Sequence, residues 1–202
     1  MAVLPLCAKL IAGQDASCFP VNRKYYQQAV VINKTDIDPD SITVTKTDFN
    51  TAPETCAYNV SFALKAGKTG YRFTGGENGS IYFGRYNKTL SELTGNPQYV
   101  HEAQMLVVGV DEASKCILEA LDKGRYVVAY QFMDGTVEIY GIRNGLSTAD
   151  YTFSTQENGG GTSIILTSSE SAPENELPLV YKSEVPGSET ADFDAAFENT
   201  AS

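Results

Sequence analysis

Lys115-Cys-Ile-Leu-Glu-Ala-Leu-Asp-Lys-Gly124 runs into Arg125-Tyr-Val-Val-Ala-Tyr130 and, past Asp134-Gly135, into Thr136-Val-Glu-Ile-Tyr-Gly-Ile142; the reading of the chain turns on this stretch. Ile117, Leu118 and Leu121 fall at i, i+1 and i+4, which gathers one apolar stripe on a short helix over 113–123. Lys123 supplies a basic last turn, and Gly124 stands just past it, where helices commonly end on glycine. The two following runs are rich in Val, Tyr and Ile. Asp134-Gly135 between them is a hairpin signal, because a two-residue primed turn needs positive φ and these residues tolerate it. A helix with one face to bury thus comes directly before the sheet it can bury against.

Upstream, Gln104-Met-Leu-Val-Val-Gly-Val110 is an apolar run short enough for a buried strand, ended by Asp111-Glu112. Cys56, Tyr58, Val60, Phe62 and Leu64 alternate with Ala57, Asn59, Ser61 and Ala63, the pattern of a half-buried strand. Tyr25 to Asn33 is β-branched and aromatic and stops at Asp36-Ile-Asp-Pro-Asp40; Ser41 to Thr47 suggests a second strand or a loop edge. Tyr71–Thr74 and Ile81–Phe83 read as short strands around a glycine-rich turn, and Gly84 to Pro97 as a surface loop with a helical turn at Leu90 to Leu93. Downstream, Tyr151–Thr155 and Thr162–Thr167 form a second hairpin with a glycine-rich tip. Residues 1–24, interrupted by Pro5, Gly13 and Pro20, read as an N-terminal arm. Residues 169–202 read as an acidic C-terminal tail, in which Leu177, Leu179, Val180 and Tyr181 alone find a groove. The expected fold is mostly β, of the α+β kind: an antiparallel sandwich or barrel over 25–168 with one flanking helix and extended terminal arms.

The chain has 202 residues, 42% of them apolar, enough for one domain with a core. No apolar run reaches the length of a membrane span, and Met1 to Leu10 lacks the basic start and cleavage site of a secretory leader, so no membrane association is expected. From Glu170 onward eight acidic residues meet one basic one, so this stretch carries −7 of the net −10. The nearly balanced remainder argues against a basic nucleic-acid-binding face, while a weakly acidic surface suits a wall past which DNA slides without sticking. Cys7, Cys18, Cys56 and Cys116 show no paired spacing, which points to a reduced, intracellular site of folding rather than to metal or redox chemistry.

His101 is the single histidine and has no nucleophile-elbow serine or reactive cysteine motif to act with; it reads as a polar residue entering a strand. Ala66-Gly-Lys-Thr69 resembles the end of a P-loop, but Phe62 stands where the first glycine belongs and no helix follows. Asp36, Asp38 and Asp40 have the spacing of a calcium loop, yet Ser41 and Thr47 occupy the places of its glycine and glutamate. Twelve tyrosines and nine phenylalanines without tryptophan could serve as stacking platforms, but most sit at alternate strand positions and read as core or subunit packing. No catalytic, cofactor-binding or metal-ligating residue is assigned, no cofactor is expected, and the chain reads as a non-enzyme.

The succession Cys116 to Gly124, Tyr126 to Tyr130, Asp134 to Gly141, Asn144-Gly-Leu146, Ile164-Ile-Leu-Thr167 and Glu170 resembles structural proteins of tailed bacteriophages and prophages of gut Bacteroidetes, most of all the tail tube type. The resemblance implies a β-sandwich with a flanking helix that assembles with itself into rings, commonly hexameric and stacked into a tube. The inner strands of such rings line a channel through which DNA passes without sequence-specific binding. It further implies a place in the virion tail after synthesis in the host cytoplasm, with other tail and neck proteins as partners. A neck, connector or tail-completion role, or a carbohydrate- or receptor-binding module using the tyrosines around Ile81 to Tyr86, is the alternative reading.

Overall fold

The computed structural model describes residues 28–46, 57–74, 82–91, 94–132, 134–154, 160–169 and 172–199. In chain order the strands are β1 (Gln28–Asn33), β2 (Thr43–Lys46), β3 (Tyr58–Ser61), β4 (Tyr71–Thr74), β5 (Phe83–Leu90), β6 (Pro97–Val108), β7 (Tyr126–Gln131), β8 (Val137–Tyr140), β9 (Ser147–Ser154), β10 (Gly161–Thr167) and β11 (Leu179–Tyr181). Helix α1 (Glu112–Lys123) lies between β6 and β7, and the short α2 (Glu189–Asp194) follows β11. Seven strands form one sheet in the order β2-β3-β11-β8-β7-β1-β4, and four form another in the order β5-β6-β10-β9. The sheets pack as a sandwich and no barrel closes, so of the two expected forms the molecule takes the first.

Two apolar layers account for this arrangement. Between the sheets, Val31, Val128 and Tyr130 meet Ala103, Met105, Ile164 and Leu166, with Leu121 of α1 closing one end. On the far side of the seven-stranded sheet, Val30, Ile32, Val127 and Ile139 meet Leu179, Phe193 and Phe197 from the C-terminal residues. Because both faces of β1 and β7 are covered, Ala29 to Ile32 and Tyr126 to Tyr130 are buried without a break, as continuous apolar runs demand. The β6 strand alternates instead, with His101, Ala103, Met105 and Val107 buried and the residues between them partly exposed.

Helix α1 starts where Asp111 accepts the Ser114 amide at 2.8 Å, an N-cap that sequence periodicity alone did not mark. Its stripe is narrower than the i, i+1, i+4 pattern implies: Leu121 is buried and Leu118 packs beside it, whereas Ile117 is exposed. Gly124 ends the helix for a different reason from the expected one. Its backbone is extended (φ −104°, ψ 175°), and a Cβ there would lie 2.0 Å from the Tyr126 hydroxyl, which donates to the Ala120 carbonyl at 2.6 Å. The following hairpin is β7–β8, but its turn is wider than two residues: Phe132 N–H donates to Thr136 O at 2.8 Å and Gly135 N–H to Phe132 O at 2.9 Å, with Gly135 at φ 85°.

Two expectations are corrected. Gly84 to Leu90 is no loop but most of β5, paired with β6 from Phe83↔Gln104 to Leu90↔Pro97. Its polar sequence hid it, because the strand is held by backbone hydrogen bonds to β6 while most of its side chains face solvent. Nor is the C-terminal region a detached tail. Strand β11 sits inside the seven-stranded sheet, parallel to β3 and antiparallel to β8, and Phe193 is fully buried. The groove expected for Leu177, Leu179, Val180 and Tyr181 is thus a vacant strand position, filled by the chain itself. The N-terminal arm lies outside the described residues.

Candidate functional site

Among the described residues two places gather candidate side chains: a buried polar junction between the sheets, and the solvent side of the four-stranded sheet.

At the junction, His101 on β6 is 2% exposed. Its Nδ1 accepts from the Gly141 amide at 3.2 Å, and its Nε2 lies 2.8 Å from the Glu176 carbonyl. An amide donor on one nitrogen and a carbonyl acceptor on the other fix the neutral tautomer, with the proton on Nε2. Burial lowers the imidazole pKa to about 4, outweighing the hydrogen bond and the Glu176 charge, which act in the opposite direction. The His101 backbone is clamped as well, its N–H donating to Ser168 Oγ at 2.9 Å and its carbonyl accepting from Ser168 N–H at 2.9 Å. The ring therefore ties β6, the end of β8 and the C-terminal segment together, with both nitrogens occupied by backbone.

Glu174, fully buried, makes a second tie of this kind. Its carboxylate accepts from the amides of Arg143 (2.9 Å) and Asn144 (2.8 Å) and so closes the β8–β9 turn. Burial raises its pKa, and the two amide bonds work against that rise. The same residue pairs with Tyr99 through both backbone groups, N–H to O at 2.9 Å and 2.8 Å. Lys34 reaches the turn from the other side, donating Nζ to the Ile142 carbonyl at 2.6 Å, and burial lowers its pKa. Glu176 pairs with Lys46 at 2.9 Å, while its Oε2 lies 3.5 Å from Arg143 Nε and has no hydrogen-bond partner among the described residues. Sequence reasoning found His101 and missed both glutamates; the legible signal was Pro173-Glu-Asn-Glu-Leu-Pro178, a proline-bracketed acidic pair beside the few apolar residues of the region.

The remaining sequence candidates are occupied by local structure. Asp36 accepts from Asn33 at 2.8 Å and lies 3.5 Å from Lys68, while Asp38 caps a short 3-10 turn by accepting the Asp40 amide at 3.2 Å. Lys65 to Lys68 close a tight turn that leads into β4. Among the described residues no group of three or more His, Cys, Asp or Glu is placed to hold a metal ion, and no helix is long and apolar enough to cross a membrane.

On the solvent side of the four-stranded sheet, register puts Arg85, Asn87 and Thr89 of β5 beside Glu102, Val100 and Gln98 of β6. Ser163 and Thr167 of β10, with Thr152 and Ser147 of β9, continue the same face. Arg85 and Glu102 pair at 2.5 Å and Gln104 donates to Ser163 at 2.7 Å, so polar side chains on the face bond to one another across the strands. Strands β5 and β9 stand at the two ends of this sheet among the described residues. On the opposite, inward-facing side these edges overhang the core and expose large rings: Tyr86 on β5, and Tyr151 and Phe153 on β9. Beside Tyr151 and Phe153 an apolar groove of about 350 Å³ opens against Val110 and Leu118.

Comparison with protein-family models, with curated proteins and with solved structures finds no match to this chain.

Proposed function

We propose that the chain is a non-enzymatic virion structural subunit of the phage tail tube type, which assembles with itself into rings, stacked into a tube around a channel for DNA. The observation that carries this reading is the four-stranded sheet: two long hairpins, a polar outer face and two long edge strands among the described residues. Soluble proteins blunt such edges unless something pairs with them. The edges are also unlike one another. Arg85 and Lys88 make β5 basic, whereas Asp150 makes β9 acidic, and Tyr86 and Leu90 on one edge match Tyr151 and Phe153 on the other in apolar character. Unlike edges join head to tail, and a head-to-tail contact closes into a ring when its rotation allows. The Asn, Gln, Ser and Thr of the bare face then line the inside, neutral enough for DNA to pass.

Light scattering at two concentrations, with negative-stain imaging of large species, tests the reading. Rings or tubes with a central hole are expected, and the double variant Arg85→Glu, Lys88→Glu should remain folded by circular dichroism while losing them. A wild-type chain that stays monomeric at high concentration and with preformed tail-tip complexes as seeds would overturn it. A second reading, carbohydrate binding, is favoured by the half-exposed Tyr86 ring beside Tyr99 at 6.4 Å, and a saturable hit on a glycan array would support it.

A further inference from the structure

We infer that His101 is a proton-operated latch on the C-terminal segment 172–199: the neutral ring holds that segment on the body, and the charged ring loosens it, together with the β2–β3 ribbon that joins the sheet through β11, while β1, β7 and the four-stranded sheet stay folded. The geometry requires a neutral ring. Gly141 N–H points at Nδ1 and needs a lone pair there, at 3.2 Å; a proton on that nitrogen sets two donors against each other. The other ring nitrogen donates to the backbone of the segment itself, at Glu176. To be hydrated, a charged ring must leave this site, and the contact to the segment goes with it.

The neighbours of the ring set the balance. From the C-terminal segment, the Glu176 carboxylate favours the charged ring, but one oxygen is paired with Lys46 of β2 and the other, without a hydrogen bond among the described residues, lies 3.5 Å from Arg143 of the β8–β9 turn. Glu174 is likewise committed to two turn amides and lies in the field of Lys34. The rings around the histidine add no countercharge: Tyr140 of β8 stacks edge-on at 5.7 Å, Tyr86 of β5 is its cross-strand partner, and the Tyr58 hydroxyl of β3 accepts from Leu177 N–H. Burial wins over these charges, and the ring titrates near 4 when docked against an ordinary value of 6.5.

A group whose pKa is depressed in the docked state favours docking above its free pKa, and the benefit is lost as pH falls toward the docked value. Docking therefore weakens by up to about tenfold per pH unit below pH 6.5, about fortyfold between pH 6.5 and pH 4.5, and levels off near pH 4. Glu174 acts the other way, since its raised pKa lets the docked state take up a proton more readily as pH falls. A variant at position 101 separates the two.

The test is amide hydrogen exchange from pH 7 to pH 4.5, corrected for the intrinsic pH dependence, read at Glu174, Leu177 and Lys182 in the segment and at Val31 and Val128 in β1 and β7. The segment amides should open about fortyfold more often at pH 4.5 than at pH 6.5, while the strand amides hold. His101→Gln, whose amide both donates and accepts but does not ionise, should keep the segment docked across the range. Opening of all these amides together, an unchanged segment, or the same slope in His101→Gln would overturn the inference. A second measurement needs no variant: with one histidine in the chain, its ring resonance is unambiguous. It should titrate well below 6.5 in step with the Gly141 and Leu177 amides; a midpoint near 6.5 would refute the latch.

Discussion

The seven-stranded sheet is covered on both faces, by the four-stranded sheet on one side and by C-terminal residues on the other, whereas the four-stranded sheet is covered on one face only among the described residues. The difference shows in the residues. Strands β1 and β7 are apolar but for Gln28, Asn33 and Gln131 at their ends, while β5 and β9 carry Arg, Lys, Asp, Asn, Ser and Thr between their rings. One sheet lies in the middle of the molecule, and the other leaves a face exposed among the described residues; in the proposed tube that exposed face is the one available to a neighbour or to the channel. That division predicts that substitutions of similar size have opposite weight in the two places.

Phe193→Ala, far along the sequence from most of the sheet it covers, should cost the most, about 3–5 kcal/mol in a urea titration. A loss near zero would return residues 172–199 to the status of a tail. Glu174→Ala leaves the part-buried amides of Arg143 and Asn144 without their acceptor, a cost of about 1–3 kcal/mol in all. It should also speed exchange of those two amides. Gly84→Val probes the seam between the sheets, since a Cβ at Gly84 would stand 2.2 Å from the Tyr140 ring. That ring is held edge-on by His101 and Tyr130, each at 5.7 Å, so it has little room to swing; a thermal melt should report about 1–3 kcal/mol of destabilisation. Asn87→Thr, on the bare face of β5, should stay within about 0.5 kcal/mol of the parent. A large loss there would mean that the face is covered within the monomer, and would erase the comparison.

What the sequence made legible follows the same division. Helix α1, the β7–β8 hairpin, the alternation of β3 and the pairing of β9 with β10 all carry their own periodicity or turn residues, while most of the glycine-rich tip between the last two lies outside the described residues. Strand β5 does not: past Gly84 almost nothing in it is buried, so hydrophobic alternation, which reads burial, had nothing to register. The C-terminal segment failed for another reason. Its acidic composition is that of a solvated tail, and what buries Glu174 and Glu176 is a set of partners at Lys34, Lys46, Arg143 and Asn144, scattered where no local pattern connects them. His101 was read correctly as polar and strand-borne, but its role depends on Gly141 and Glu176, which the fold alone brings to it.

The position of β11 also sets a schedule. Among the described residues, β2 and β3 join the rest of their sheet only through β11, which the ribosome makes more than a hundred residues after β3. At about 5–20 residues per second, the β2–β3 ribbon waits on the order of 5–25 seconds during synthesis for the strand that docks it. A nascent chain in that interval has an open slot in the middle of its larger sheet, and a premature stop before Leu179 leaves it open for good. Chaperone occupancy and proteolysis of stalled chains should both drop sharply once Tyr181 clears the exit tunnel.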